Sequence, residues 1–166
     1  GQITGYGLSG PDANRAGYDI AAFWARAGIA HLLTPEGGEL PFQRGGMGDH
    51  STGVTFAGAI CAALFRRERS GEGQMVSSSL LRQGVYTVGF DLNIALGWGR
   101  FPAIGRRTEM LSPTVNNYTA ADGRRFWIVG LEGDRHWPPL ARVVGDRKST
   151  RLNSSHEWIS RMPSSA

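Results

Sequence analysis

The sequence predicts a mixed α/β fold, and three segments carry that prediction. Gln2–Gly7 reads as the end of a strand that enters a glycine turn. Thr52–Arg69 is a long run of small and apolar residues with helical spacing. Arg125–Gly130 is rich in aromatic and β-branched residues, as strands are. The sequence therefore predicts one strand before and one strand after a long helix along the chain.

The first part of the chain alternates turns with a helix. Gly5–Gly10 formally matches the dinucleotide fingerprint G-x-G-x-x-G, but Pro11 and a polar run stand where that motif needs a helix to start. We interpret the segment as a turn. Tyr18–Ala27 is predicted to be helical, and Gly28 stands where a glycine would end that helix. Residues 34–48 are rich in proline and glycine and predict a loop.

The helix predicted over about Thr52–Arg69 is apolar on nearly every side. A helix of that kind is normally enclosed by the rest of the protein. The pattern therefore predicts buried side chains at Ala57, Ile60, Cys61 and Leu64. Arginines in the last turn suit the helix dipole, and Gly71 can end the helix.

The sequence pattern of the second part of the chain is less regular. It predicts a long helix over about Leu80–Leu96 and an irregular connection over Phe101–Asn117. A turn is predicted at Ala121–Gly123, and a short helix over Asp134–Val144 with Pro138 and Pro139 near its first turn.

Composition excludes several classes of protein. Apolar residues make up 40% of the 166 residues and charged residues 19%, as in globular proteins. No apolar run reaches the roughly 20 residues that a membrane helix needs. The net charge of +4 comes from scattered arginines, without the basic stripe of a nucleic-acid-binding protein. A single cysteine, Cys61, favours a reducing, cytoplasmic setting and a core position for its thiol.

The remaining polar residues indicate neither a metal site nor a leader sequence. His31, His50 and His136 stand alone, without metal-ligand spacing. We therefore expect no metal and no permanently bound cofactor. The chain begins at Gly1 without an initiator methionine or a signal peptide, and we expect it to come from the middle of a longer protein.

Asp49 is the residue that the sequence singles out for chemistry. It lies in the glycine-rich stretch Gly45–Gly53, just ahead of the long apolar helix. An aspartate there most often caps free backbone N–H groups. Ser51 and Thr52 are also competent caps and lie closer to the helix. The flanking glycines then favour another role, in which a ligand approaches the backbone closely and the carboxylate attacks an activated acyl group.

Three pieces of the chain carry a resemblance to a known family. They are Ile3–Pro11 with Gly17–Asp19, then Gly48–Gly53, and finally Arg69–Leu81. Together and with their spacing, they make residues 1–145 similar to the central part of the class III coenzyme A transferases, of the formyl-CoA transferase and carnitine CoA-transferase type.

The resemblance implies an architecture. The family has a Rossmann-like α/β large domain and a smaller domain, in two subunits interlocked like links. Residues 1–100 would be part of the large, CoA-binding and catalytic domain, and 101–145 would begin the smaller one. The resemblance covers only the middle of the family's length, so the fragment itself is expected to be inactive.

The resemblance also implies a reaction and its residues. Asp49 would be the nucleophile, forming an aspartyl-CoA intermediate while CoA moves from an acyl-CoA to a free carboxylic acid. The segment Ala16, Gly17, Tyr18 and Asp19 would line the CoA site. The related α-methylacyl-CoA racemases carry a histidine at the place of Tyr18. Tyrosine is a poor base at neutral pH, which favours the transferase over a racemase. An inactive CoA-binding homologue is a further alternative.

The last segment, residues 146–166, differs from the rest in composition. It contains Lys148, the only lysine of the chain, and is rich in serine. Asp146–His156 and the residues after it resemble the translation of a short-read sequencing adapter. We predict that the segment is an artefactual, disordered tail without packed contacts.

Overall fold

The computed structural model describes residues 1–101, 104–105, 107–110 and 112–145. They belong to two compact units, one spanning Gly1–Ile104 and one that begins at Gly105. The segment 146–166, for which an artefactual tail is predicted, lies outside the described residues. Both units combine helices with strands, which confirms the mixed α/β prediction.

The described part of the first unit contains two short strands and five helical segments. The strands β1 (Gln2–Thr4) and β2 (Ser77–Ser79) pair in parallel, with Gln2 opposite Ser77. Strand β2 was not predicted, because a run of serines has none of the branched or aromatic residues typical of strands. The helical segments are a π-helix at Ile20–Arg26, α1 (Ile29–Leu32), α2 (Met47–Ser70), α3 (Leu80–Thr87) and α4 (Gly89–Trp98).

The predicted helix boundaries are met in part. Gly28 follows the first helix with φ 88°, a left-handed conformation that glycine adopts readily, as expected. Gly71 ends α2 with φ 73°. The single helix expected over Leu80–Leu96 is instead two, because Val88 leaves helical geometry at φ −95° and ψ 16°.

The core of the first unit forms where the π-helix packs against α1 and α3. Gly84 of α3 permits that approach, because a Cβ there would lie 2.7 Å from the carbonyl oxygen of Phe23. Buried apolar side chains fill the contact, with Tyr6 and Leu32 packed at its margin: Ala22, Phe23, Trp24, Ile29, Ala30, Leu80 and Val88.

The prediction that α2 is buried is wrong for most of its length. Ala57 and Cys61 are exposed, Leu64 is 45% exposed, and Ile60 is only partly covered. The helix pattern correctly reports an apolar surface, but the described residues cover only the N-terminal end of α2, at Gly48 and Thr52. Asp49 therefore does not stand at the base of a closed cleft.

The second unit contains a β-hairpin and a helix. Strands β3 (Val115–Thr119) and β4 (Arg125–Val129) pair antiparallel across a turn in which Gly123 adopts φ 82°. The sequence predicts β4 and the turn, whereas β3 overlaps the end of the irregular connection expected over Phe101–Asn117. Helix α5 (Gly133–Val143) buries Trp137 and Ala141. Its two prolines lie at the sixth and seventh residues, not near the first turn as expected.

Among the described residues, no helix combines the length and apolar character that crossing a membrane requires.

Candidate active site

Asp19, which is far from α2 in the sequence, binds the first turn of that helix directly. A carboxylate oxygen of Asp19 accepts a hydrogen bond from the Gly48 N–H at 3.0 Å and another from Nε2 of Gln43 at 2.8 Å. Gly46, at the N-cap of α2, has no side chain to offer. Asp19 thus takes the place of an N-cap residue, satisfying a free N–H in the first turn of a helix to which it does not belong.

The loop before α2 is also fixed to the core. Nε1 of buried Trp24 donates a hydrogen bond to the Pro41 carbonyl at 3.0 Å, and the Gln43 contact to Asp19 follows two residues later. The sequence predicts a loop here but not its anchors. Both anchors fix the direction in which α2 leaves the core.

Gly48 has a steric reason to be glycine. It is buried, and a Cβ at this position would collide with the Asp19 carboxylate and with the Phe23 ring. The absence of a side chain therefore lets the Asp19 carboxylate reach the backbone of α2. One residue later comes Asp49.

Asp49 is the third residue of α2 and lies within the first turn, not on a turn ahead of the helix as the sequence suggests. It is exposed. Its side chain makes no capping hydrogen bond to its own helix among the contacts of the described residues. The aligned peptide dipoles of a 24-residue helix place partial positive charge around this carboxylate.

Asp49 faces a hollow of about 310 Å³. Its lining comes from β1 and the glycine that follows it, from Gly17, from the N-terminal part of α2 and from Leu80 at the start of α3. Gly5 and Gly17 meet in the wall, where a Cβ on either would collide with the backbone of the other. The lining residues are Ile3, Thr4, Gly5, Gly17, Asp49, Thr52 and Leu80.

The predicted CoA-binding residues do not all share this hollow. Gly17 lines it beside Asp49. Asp19 is committed to the backbone of α2. Tyr18 is 70% exposed and Ala16 is exposed, and neither lines the hollow. The structure thus brings Asp49 and Gly17 together and gives Asp19 a structural contact that sequence reasoning missed.

Thr52 is the second residue that sequence reasoning missed. Its sequence position suggests only a cap, yet it lies one turn inside α2 and is 1% exposed. Its hydroxyl oxygen has no hydrogen-bond partner among the described residues. No local sequence signal marks such a residue, because burial of a helix position depends on the elements that pack against the helix.

The other candidates show no shared site. His50 and His31 are exposed, and Nδ1 of His136 accepts a hydrogen bond from the Glu132 N–H at 3.2 Å. The described part of the chain holds no cluster of three or more His, Cys, Asp or Glu residues able to bind a metal. A second hollow in the first unit, about 490 Å³, adjoins β2 and Arg82 and does not include Asp49.

Among the described residues, the two groups with an altered pKa, Tyr118 and Asp122, lie in the second unit. Burial raises the pKa of Tyr118, and the Arg107 guanidinium over its ring partly offsets that effect. The Arg124 guanidinium, with Nε 2.7 Å from the Asp122 carboxylate, lowers the pKa of that exposed carboxyl. Neither group lines the Asp49 hollow.

A family model described as CoA-transferase family III matches residues 1–164. The chain belongs to CoA-transferase family III. The resemblance that the sequence motifs carry is thereby confirmed. Because the match continues through residue 164, it does not separate the predicted artefactual segment from the rest, and that prediction stays open to test.

Individual relatives agree with the family match. A cinnamoyl-CoA:phenyllactate CoA-transferase of Clostridium sporogenes is 37% identical, over 92% of this chain and 39% of that protein. An (R)-2-hydroxy-4-methylpentanoate CoA-transferase of Clostridioides difficile is 32% identical, over 86% of this chain and 35% of that protein. A crystal structure of a CAIB/BAIF family protein from Brucella suis matches with a TM-score of 0.76 and 25% identity, over 95% of this chain and 42% of that one.

The chain therefore spans less than half the length of these relatives.

Removing the Asp19 carboxylate, the remote cap of α2, should destabilise the first unit. We expect Asp19→Ala to lower the free energy of unfolding of this chain by about 1–3 kcal/mol, the usual cost of losing hydrogen bonds to a charged group. Thermal and urea unfolding followed by circular dichroism would measure it. Asp122→Ala, which removes an exposed carboxylate paired with Arg124, should change little. Equal unfolding of Asp19→Ala and the parent chain would contradict the capping role.

Proposed function

We propose that a full-length protein containing this segment moves CoA from an acyl-CoA thioester to a free carboxylic acid, with Asp49 as the nucleophile. One observation carries the proposal. In a member of CoA-transferase family III, an exposed carboxylate stands at the positive end of a long helix and faces a hollow walled partly by glycine backbone. A carboxylate so placed is accessible to a thioester carbonyl.

The chemistry follows from the choice of a carboxylate as nucleophile. An Asp49 oxygen forms a C–O bond to the thioester carbonyl, the C–S bond breaks, and the CoA thiolate leaves with the electron pair. The thiolate then attacks the Asp49 carbonyl of the mixed anhydride, releasing the donor acid as its carboxylate and forming an aspartyl-CoA thioester. The acceptor carboxylate next attacks this thioester and expels the thiolate. Finally, the thiolate attacks the acceptor acyl group and regenerates Asp49.

The relay conserves the thioester, since no step consumes water. That is why a carboxylate serves here. A serine nucleophile would give an ester of much lower acyl-transfer potential, whereas a mixed anhydride remains reactive toward a thiolate.

We place the CoA-binding segment at Ala16–Asp19. Gly17 supplies backbone to the wall of the hollow, and the exposed Tyr18 ring is available beside it. Asp19 contributes through its contact to α2 rather than through a free carboxylate. CoA and acyl-CoA enter and leave as substrates in this proposal, with no permanently bound cofactor.

We further propose that Gly1–Arg100 belong to the large domain, that 101–145 begin the smaller one, and that the full-length protein is an interlocked homodimer in the cytoplasm. Exposed apolar side chains on two helices support additional packing partners: Val54 at 76% and Phe65 at 66% on α2, Leu96 at 77% and Trp98 at 79% on α4. Surfaces of this kind usually contact other protein. Without those partners, the segment alone is expected to be inactive.

An exchange assay tests the function itself. Full-length protein is incubated with an acyl-CoA and an isotopically labelled free acid, and labelled acyl-CoA is measured. We expect label transfer that requires the acid. A racemase would instead scramble the configuration of a 2-methylacyl-CoA without an acid, and a protein that only binds CoA would do neither. Either of these two results, across a panel of aliphatic, aromatic and dicarboxylic acids, would overturn the proposal.

A further inference from the structure

The side-chain hydroxyl of Thr52 is buried and takes no part in the hydrogen bonds described so far. The residue is 1% exposed, and its oxygen has no hydrogen-bond partner among the described residues. A buried hydroxyl without a partner is uncommon, because it gives up its bonds to water and gains none in return. We therefore looked for a hydrogen-bond acceptor that the Thr52 hydroxyl could bind once substrate is present.

Neighbouring hydroxyls on α2 behave differently. Ser51 donates to the Met47 carbonyl at 2.8 Å, Thr55 to the Ser51 carbonyl at 2.9 Å, and Ser70 to the Arg66 carbonyl at 3.1 Å. These are the usual bonds of helical Ser and Thr to the carbonyl four residues earlier. For Thr52 that carbonyl is Gly48, and the Thr52 hydroxyl makes no hydrogen bond to it.

Position on the helix selects the partner. Residues three apart lie on the same helix face, and side chains lean toward the N-terminus. Thr52 therefore leans toward the turn that carries Asp49. Both residues line the same hollow, and the other lining residues present apolar side chains, glycines and the Thr4 hydroxyl. If the Asp49 side chain rotates toward Thr52, its carboxylate can accept the hydrogen bond that the buried Thr52 hydroxyl otherwise lacks.

We propose that Thr52 is a positioning residue for Asp49. When the acyl donor occupies the hollow, the Asp49 side chain rotates toward Thr52, and the Thr52 hydroxyl donates a hydrogen bond to the carboxylate oxygen that does not attack. The bond fixes the carboxylate plane, so that the other oxygen approaches the thioester carbonyl. No proton is transferred in that step. The inference rests on Asp49 being the nucleophile.

The test compares three variants in the full-length protein. Thr52→Val keeps the shape and removes the hydroxyl, Thr52→Ser keeps the hydroxyl, and Thr55→Val removes a neighbouring hydroxyl of the same helix that is exposed and already bonded. We expect Thr52→Val to lower kcat about 10- to 100-fold, as for loss of one hydrogen bond to a charged group, with KM for the acyl-CoA within about twofold. Thr52→Ser should restore most of kcat, and Thr55→Val should match the parent.

Stability separates positioning from a structural role. Thr52→Val removes a buried hydroxyl that has no partner among the described residues, so its melting temperature should equal or exceed that of the parent. The inference would be overturned if Thr52→Val lowered the melting temperature together with kcat, or if Thr52→Val left kcat unchanged. It would also be overturned if Thr52→Ser failed to restore kcat. Asp49→Asn distinguishes the two proposals. If Asp49→Asn is inactive and Thr52→Val is normal, only the Thr52 inference fails, whereas an active Asp49→Asn refutes the proposed function.

Discussion

Replacing Asp49 by asparagine in a full-length protein containing this segment should reduce acyl exchange by more than about 10³-fold, the scale seen when an enzyme loses its nucleophile. Binding of the CoA ester should remain nearly unchanged. Asparagine has almost the same shape as aspartate and can occupy the same place in the first turn of α2, but its amide nitrogen does not attack a thioester. Exchange of label and equilibrium binding of acyl-CoA are the two measurements.

A purely structural role for Asp49 gives the opposite pattern. A helix-terminal carboxylate that acts only on the dipole contributes about 0.3–1 kcal/mol, so the variant would be slightly less stable and fully active. Asp91→Asn is the matched control, because Asp91 also lies in the first turn of a helix, α4. It should share the small change in stability and retain exchange. Full exchange by Asp49→Asn, verified by mass spectrometry to be free of deamidation, would refute the assignment.

A covalent trap sharpens the same prediction. Protein incubated with acyl-CoA and then with hydroxylamine or borohydride should carry its modification on the peptide that contains Asp49. The Asp49→Asn protein should carry none. Modification of another peptide in the native protein would move the nucleophile elsewhere in the chain.

The elements that the sequence predicts correctly are those set by local chemistry. Gly28 and Gly71 end helices because their left-handed backbone conformations suit glycine, and the aromatic and branched residues of β4 favour a strand on their own. The elements that it misses depend on distant partners. Strand β2 is three serines, and it is a strand because β1, more than 70 positions earlier in the numbering, pairs with it.

The candidate site shows the same division. The glycines and the carboxylate at 45–53 mark the proposed place of the chemistry by their residue types alone. The sequence pattern starts α2 five residues too late, at Thr52 instead of Met47, because the cap of this helix is Asp19, 29 positions before the N–H that it binds. The burial predicted for Cys61 and Leu64 is wrong for a related reason. Periodicity reports which face of a helix is apolar, but it cannot report whether the chain in hand contains the elements that cover it.

Gly48→Ala should have the second-largest effect, although it adds a single methyl group. The backbone of Gly48 does not have positive φ, so alanine is conformationally allowed there and the cost is steric. The added Cβ would collide with the Asp19 carboxylate and with the Phe23 ring of the core. Overpacking of a well-filled site typically costs about 1–3 kcal/mol. Because the collision is also with the remote cap, part of the Asp19 bond to α2 should be lost as well.

The larger consequence should be catalytic, since Asp49 is the next residue. Relief of the collision has to move either Asp19 or the first turn of α2, and displacements near 1 Å in reacting groups can reduce rates by about 10²-fold. We therefore expect Gly48→Ala to lower the melting temperature of this chain and, in a full-length protein, to cut kcat far more than binding. Gly58→Ala is the control. It lies in the same helix with open space around it, so alanine should stabilise this chain by up to about 1 kcal/mol through helix propensity. If the two variants behaved alike in stability and turnover, the close packing of Asp19 on Gly48 would not be what positions Asp49.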